Sequence, residues 1–201
     1  MDLFCSHLCS CGETADAKGY HKLSCRNGAV YREARHNAVN DVLTRAIRQL
    51  GIAVRVEPQH LHSNDEIRPD GVTLTPWSVG KSLIWDVSIR DTYAASYAGL
   101  ARTVGGVAAK AERDKCAHYE ALVEEGGYIM KPFVTETSGV WGKEALLLSK
   151  EIGDRLKLAT GEKRSVEFLR QRVALEVQRG SAQMILRTLP AGRGFGEMFY
   201  L

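Results

Sequence analysis

The segments Ile84-Trp85-Asp86-Val87-Ser88 and Arg68-Pro69-Asp70 are the most informative about the fold and the chemistry of this chain. The first stretch has the pattern of a buried strand with an aspartate at its centre, and the second lies at the rim of another strand. A charged carboxylate inside an apolar strand costs free energy unless it is paired or bound. Two acids from neighbouring strands can share one cation, and oxygen ligands favour Mg²⁺ or Mn²⁺ over zinc. The two aspartates therefore predict a divalent metal site.

The segments around these strands alternate between helical and strand periodicity. Helices are predicted at 31–50, from about 107 to 125, at 141–158 and at 165–189, and strands at 52–57, 71–75, 82–89 and 128–135. The order is helix, three strands, helix, strand and two further helices. Such an order predicts a mixed sheet flanked by helices, in an α/β or α+β sandwich, and α/β is the class that we expect. Residues 191–201 show no periodicity and are expected to form a loose tail.

Length and composition limit the class of protein. A chain of 201 residues with 44% hydrophobic residues can bury one sizeable core and carry a small accessory module. No run of eighteen apolar residues occurs, so we expect an intracellular protein without a membrane partner. The net charge of +3 permits a nucleic-acid partner without requiring one.

Four of the five cysteines lie within the first 25 residues, which favours a metal site over a disulfide framework. Cys9, Cys11, His21 and Cys25 supply the thiolates and imidazole that tetrahedral zinc prefers. Cys5 and His7 are alternative ligands, and free thiols in an unstructured tail are the simpler interpretation. We call residues 1–28 the zinc knuckle and residues 29–190 the main domain. Zinc would have a structural role in the knuckle, because so short a segment cannot bury a core.

Other polar residues allow two interpretations each. Glu57, at the end of the first strand, is either a third metal acid or a solvated strand end. Asp70 before a glycine is also ordinary turn chemistry. Lys115 shares one helix face with Glu112 and Tyr119, and that face either leans over the strand acids or is solvated. Glu136 either supports the metal acids or caps the next helix.

Together these motifs resemble the PD-(D/E)xK, or restriction-endonuclease-like, superfamily. More narrowly, the chain is similar to the endonuclease-like region that follows the reverse transcriptase of site-specific non-LTR retrotransposons. The matching features are Cys11-Gly12, 19–25, Arg35-His36-Asn37, Glu57-Pro58, 68–71, Trp85-Asp86-Val87, Ala111-Glu112 with Lys115 and Tyr119, Glu136-Thr137 with Gly139, Gln171-Arg172 and Gln178-Arg179-Gly180. They extend over nearly the whole chain.

The resemblance implies a restriction-endonuclease-like core and Mg²⁺- or Mn²⁺-dependent hydrolysis of DNA that leaves a 3′-hydroxyl. Asp70 and Asp86 would bind the metal, with Glu57 as a third acid and some help from the Val87 carbonyl. One position departs from the superfamily pattern, because Ser88 stands where a lysine is expected. The expected substitute is Lys115 from the following helix, and the second choice is Lys110. Tyr119 completes the set of candidate catalytic residues.

The same resemblance implies a retrotransposon setting. A nick in duplex or branched DNA would prime reverse transcription, in the nucleus, with a reverse transcriptase region of the same polyprotein as partner and with a homodimer as one arrangement. Basic side chains suit the phosphate backbone. The candidate DNA-binding residues are Arg35, His36, Arg68, Arg172 and Arg179. A solvated basic face is the simpler interpretation, and His36 packs near the acids in an alternative interpretation.

Two other functions fit the sequence. A nuclease fold that has lost catalysis would serve as a DNA-binding or assembly module, as Ser88 in the lysine position suggests. A zinc-dependent transcription regulator would need the knuckle to read bases and the two aspartates to be structural.

Overall fold

A computed structural model describes residues 6–62 and 67–187, and from residue 29 onward its main helices and strands follow the predicted order. The helices are α1 (Tyr20–Ser24), α2 (Ala29–Arg48), α3 (Gly106–His118), α4 (Glu120–Glu124), α5 (Lys143–Thr160) and α6 (Ser165–Arg187). The strands are β1 (His7–Leu8), β2 (Thr14–Ala15), β3 (Val54–Val56), β4 (Gly71–Thr73), β5 (Ser82–Arg90) and β6 (Tyr128–Glu136). The predicted tail, residues 191–201, lies outside the described residues.

The main sheet is mixed. Its four strands lie in the order β3-β4-β5-β6, with antiparallel pairing from β3 to β5 and parallel pairing between β5 and β6. A parallel pair needs a crossover connection, which here runs through α3 and α4. The predicted α/β class with a mixed sheet is confirmed.

The two faces of β5 belong to different layers. Trp85 and Val87 pack into the large core cluster that α2, α5 and α6 also line. Ile84 packs on the other face with Tyr119 and Leu122, which come from the segment around α3 and α4. Because side chains alternate along a strand, Asp86 projects toward the α3 side.

The stretch 94–125, of which only the part from about 107 is predicted to be firmly helical, is divided in the structure. Residues 91–105 form a connection with two short 3₁₀ turns, at Ala95–Tyr97 and Leu100–Arg102, and α3 begins after Gly105. Gly105 has φ of +76°, a left-handed conformation that glycine adopts at little cost. The firm helix therefore begins close to the predicted Val107.

The knuckle residues form the β1–β2 hairpin and α1, and they pack beside the main domain. The ring of Tyr20 stacks on Tyr93, which lies just beyond β5, with 4.0 Å between the ring centroids. Gly28 faces the side chain of Met184 on α6. The knuckle thus contacts both the last helix and the connection that leads from β5 to α3.

None of the helices within 6–62 and 67–187 has the length and apolarity that crossing a bilayer requires.

Candidate active site

Asp70 lies immediately before β4, where two groups hold its carboxylate. The backbone N–H of Val87 donates to Oδ2 at 2.6 Å, and Nε2 of His36 lies 2.9 Å from the same oxygen. Among the described residues no contact engages Oδ1. One carboxylate oxygen is therefore oriented by the protein, and the other is available to a ligand.

Strand register explains why the two aspartates meet. Gly71 pairs with Trp85 in the antiparallel β4–β5 ladder, so the next position along brings Asp70 opposite Asp86. Side chains directly opposite each other in such a pair have Cβ atoms about 5 Å apart. Ligand atoms of His36, Asp70 and Asp86 lie within 4.8 Å of one another.

Continuing the same register places Pro69 opposite Val87. Proline has no backbone N–H, so it cannot donate a ladder hydrogen bond to the Val87 carbonyl. The N–H and C=O of one strand residue point to the same side, and the Val87 N–H points to Asp70. The Val87 carbonyl therefore lies on the edge of β5 that carries the acids.

Asp86 is buried, with 5% of its surface exposed, and it has two partners from the α3 region. Nζ of Lys115 lies 2.7 Å from Oδ1, and the Tyr119 hydroxyl lies 2.5 Å from Oδ2. Burial raises the pKa of Asp86, the charge of Asp70 raises it further, and Lys115 and Tyr119 oppose the rise. Lys115, the residue predicted to replace the lysine that is missing at position 88, thus lies beside the second acid.

Tyr119 connects the two acidic segments. Its hydroxyl also lies 2.8 Å from the carbonyl oxygen of Arg68, two residues before Asp70. Burial and the charge of Asp86 raise the pKa of Tyr119 far above its ordinary value, so the phenol stays protonated. A protonated phenol is a hydrogen-bond donor, and Tyr119 lies between β5 and the turn before β4.

His36 carries positive charge beside the acids. Its hydrogen bond to Asp70 raises the pKa of His36 to about 9, although burial opposes the rise. At neutral pH the imidazole is protonated and neutralises part of the acidic charge. Of its two predicted roles, the structure places His36 near the acids.

Asn40, one turn beyond His36 on α2, is a site residue that sequence reasoning missed. Its Nδ2 donates to the main-chain carbonyl of Asp70 at 3.2 Å, and its Oδ1 accepts from Nε1 of Trp85 at 2.8 Å. Asparagine occurs in many surface helices, so the only available signal is its i, i+4 spacing from His36.

Several predicted residues lie away from this group. Glu57 has an exposed side chain and contacts Asp70 only through its backbone N–H, at 3.0 Å from the Asp70 carbonyl. Lys110 pairs with Asp114 one turn further along α3, on the exposed side of the helix. Neither residue is brought to the acids, which leaves Lys115 as the lysine at the site.

The candidate DNA-binding arginines divide into buried and exposed side chains. Arg35 is only 3% exposed and donates to Ser181 of α6 at 2.9 Å, so it links two helices instead of facing solvent. Arg68 and Arg172 are exposed, and Arg179 is exposed while paired with Glu176 at 3.0 Å.

Two buried glutamates cap helices. Oε1 of Glu136 accepts the backbone N–H of Ala108 at 3.0 Å, and its Oε2 accepts the hydroxyl of Thr92 at 2.9 Å. Glu136 therefore caps α3, the preceding helix, whereas the sequence predicts either support for the acids or a cap on the following helix. Oε1 of Glu112 accepts the N–H of Glu144 at 2.8 Å and so caps α5 instead of leaning over the acids.

The predicted knuckle ligands converge. Ligand atoms of Cys9, Cys11, His21 and Cys25 all lie within 4.8 Å of one another, and this group could hold a metal such as zinc. Burial alone would raise the pKa of the Cys9 thiol, but backbone and side-chain hydrogen bonds lower it to about 6. The alternative ligand Cys5 lies outside the described residues.

Carboxylates support the histidine of this group. Nδ1 of His21 lies 3.3 Å from Glu13, while its Nε2 faces the Cys11 thiol at 3.3 Å. Asp16 accepts the backbone N–H of His21 at 2.7 Å. A metal-binding histidine commonly donates its second N–H to a carboxylate in this way, which fixes the ring orientation.

No protein-family model matches the chain, and the comparison with curated proteins finds no match either. The functional argument therefore depends on the geometry of the two residue groups and on the motif resemblance.

For the knuckle, we expect the purified protein to hold one zinc ion per chain and Cys25→Ser to hold much less. Losing one of four ligands removes a metal–thiolate bond and leaves an incomplete tetrahedron. Metal content by plasma mass spectrometry after gel filtration measures this. Cys116→Ser is the matched control, because Cys116 is exposed on α3 and outside the cluster. Equal zinc content in Cys25→Ser and the parent would contradict the ligand set.

For the His36–Asp70 pair, we expect a pH-dependent contribution to stability. The pKa of His36 is raised on folding to about 9, so the pair stabilises fully below the unfolded-state pKa, about 6.5. That stabilisation is lost as the pH rises through about 9. Urea unfolding of the zinc-loaded protein at pH 6.0 and 9.5, without added Mg²⁺, compares the parent with His36→Gln. The unfolding free energy of the parent minus that of His36→Gln should be smaller at pH 9.5 than at pH 6.0, by on the order of 1–3 kcal/mol. A difference that is constant or grows with pH would contradict the assignment.

Proposed function

We propose that this protein is a metal-dependent DNA endonuclease that hydrolyses a phosphodiester and leaves a 3′-hydroxyl. The observation that carries the proposal is the position of Lys115, whose ammonium lies 2.7 Å from Asp86 beside the Asp70 carboxylate. A lysine next to two facing acids completes the constellation that the PD-(D/E)xK resemblance requires.

The donor set of this group suits Mg²⁺ or Mn²⁺. Asp70 and Asp86 offer hard carboxylate oxygens, and the Val87 carbonyl offers a third oxygen on the same edge of β5. Burial and mutual repulsion of the acids favour a bound cation, as the raised pKa of Asp86 indicates. When bound, such a metal stabilises charge on a phosphate oxygen and lowers the pKa of a coordinated water.

The side chains of this chain would divide the remaining work. Asp70, held through Oδ2 by His36 and Val87, would offer Oδ1 to the metal. Lys115 would donate a hydrogen bond to the attacking water or to a phosphate oxygen. The protonated His36 would add positive charge beside the two acids.

The same proposal includes the type of core, the retrotransposon setting, the partner and the location of the protein. The helix–three strands–helix–strand order and the mixed sheet support a restriction-endonuclease-like core. A retrotransposon-type nick, a reverse transcriptase partner and nuclear location depend on the motif resemblance alone. Exposed Arg68, two residues from Asp70, and Arg172 on α6 suit contacts with the DNA backbone.

One observation favours a second candidate function. Asp86 already has a lysine and a tyrosine as partners, so its charge is partly satisfied without a metal. Together with Ser88 in the usual lysine position, this arrangement suits a DNA-binding or assembly module that has lost catalysis. The two candidates differ in whether the protein cleaves DNA.

The test is cleavage of supercoiled plasmid and branched DNA by the zinc-loaded protein with Mg²⁺ or Mn²⁺. We expect nicking that depends on added metal, with product ends that a DNA polymerase can extend. Asp70→Asn and Asp86→Asn should reduce the rate to background, because each removes a charged oxygen ligand. Lys115→Met should reduce it about 10²- to 10⁴-fold.

Lys110→Met is the matched control, since Lys110 lies on the same helix and pairs with Asp114 away from the acids. Its nicking rate should stay close to that of the parent. Nicking that persists in Asp86→Asn would exclude this site as the active site. No nicking by the parent, with DNA binding intact, would favour the inactive module.

A further inference from the structure

We propose that Asn40 is a positioning residue that fixes the spacing of Asp70 and Asp86 and thereby sets the metal affinity of the site. This inference rests on the proposed metal-dependent function. It concerns a residue that contacts neither carboxylate group and is nonetheless hydrogen-bonded to both acidic segments.

Asp70 needs such support because the strand ladder ends before it. The β4–β5 pairing has Gly71 as its last partner, opposite Trp85, and Asp70 lies one residue beyond. Its main-chain carbonyl is held instead by the backbone N–H of Glu57, at 3.0 Å, and by the amide of Asn40, at 3.2 Å. The position of Asp70 therefore depends on β3 and α2.

Helix α2 contacts Asp70 at two points. His36 holds the carboxylate, and Asn40, four residues later on the same helix face, holds the carbonyl. Two contacts from one rigid helix fix both the location of the residue and the direction of its side chain. Loss of the Asn40 contact would leave the carboxylate attached while the backbone behind it could move.

The other side of Asn40 is fixed by Trp85, the neighbour of Asp86. The Trp85 indole donates to Asn40 Oδ1 at 2.8 Å, and the tryptophan is fully buried. The indole crosses Gly71, where an added Cβ would lie 2.1 Å from a ring carbon. Gly71 therefore leaves the space through which Trp85 reaches Asn40.

The two hydrogen bonds of Asn40 connect the main chain at Asp70 with the side chain of Trp85, the residue next to Asp86. From Asp86 the connection runs to the adjacent Trp85, through Asn40, to the carbonyl of Asp70. Asn40 is itself only 5% exposed, so its amide has little access to water and its orientation is determined by these partners. Residues that orient metal ligands in this way typically change metal affinity about 10- to 100-fold when they are replaced.

The test measures Mn²⁺ affinity in the zinc-loaded full chain, by the electron paramagnetic resonance signal of free Mn²⁺. Asn40→Leu keeps the branched shape and the number of side-chain heavy atoms and removes both hydrogen bonds. We expect it to bind Mn²⁺ about 10- to 100-fold more weakly than the parent. Trp85→Phe, which removes the indole N–H donor together with part of a fully buried ring, should also weaken binding.

Thr44→Val is the matched control. Thr44 lies one turn beyond Asn40 on α2, is buried, and its hydroxyl has no hydrogen-bond partner among the described residues. Its Mn²⁺ affinity should equal that of the parent. Thermal unfolding of each variant identifies loss of fold, and Asn40→Ser replaces Asn40→Leu if the leucine variant does not fold.

The outcomes separate the two proposals. Parent-like affinity in a folded Asn40→Leu or Asn40→Ser protein overturns the role of Asn40 and leaves the proposed nuclease standing. Weakening in Thr44→Val equal to that in the Asn40 variant also overturns it, because the effect would then be general to α2. Failure of the parent to bind Mn²⁺ overturns both proposals.

Discussion

Two carboxylates that face each other across a strand pair impose the constraint on which the rest of the site depends. The β4–β5 register brings Asp70 opposite Asp86, and burial makes the repulsion between them costly. The fold compensates with cationic side chains from different helices. His36 of α2 contacts the first acid, and Lys115 of α3 contacts the second. A divalent cation between the acids would complete the compensation.

The helices that supply these cations are themselves held by buried groups. Glu136 caps α3, and the capped helix carries Lys115 to Asp86. Tyr119, at the end of the same helix, contacts both Asp86 and the turn before Asp70. On the opposite side of the sheet, α2 contacts Asp70. The acids thus lie between two helices, each of which is anchored to the sheet by polar contacts.

The strands, the main helices and the facing aspartates could be predicted because hydrophobic periodicity and a charge inside an apolar strand are visible in a single sequence. The helix face of Lys115 followed from i, i+3 and i+4 spacing. The side on which Glu57 projects could not be predicted, because strand ends do not fix orientation. Nor could the link from Arg35 to Ser181 or the cap that Glu136 gives to α3, because the residues they join lie 146 and 28 positions apart in sequence.

The proposed function requires that Asp70 and Asp86 together bind a divalent cation. A crystal structure of the zinc-loaded protein grown with Mn²⁺, with anomalous scattering recorded near the manganese edge, tests it most directly. We expect an anomalous peak within coordination distance of both carboxylates. An ordered site with no peak at saturating Mn²⁺, and Lys115 still paired with Asp86, would contradict it.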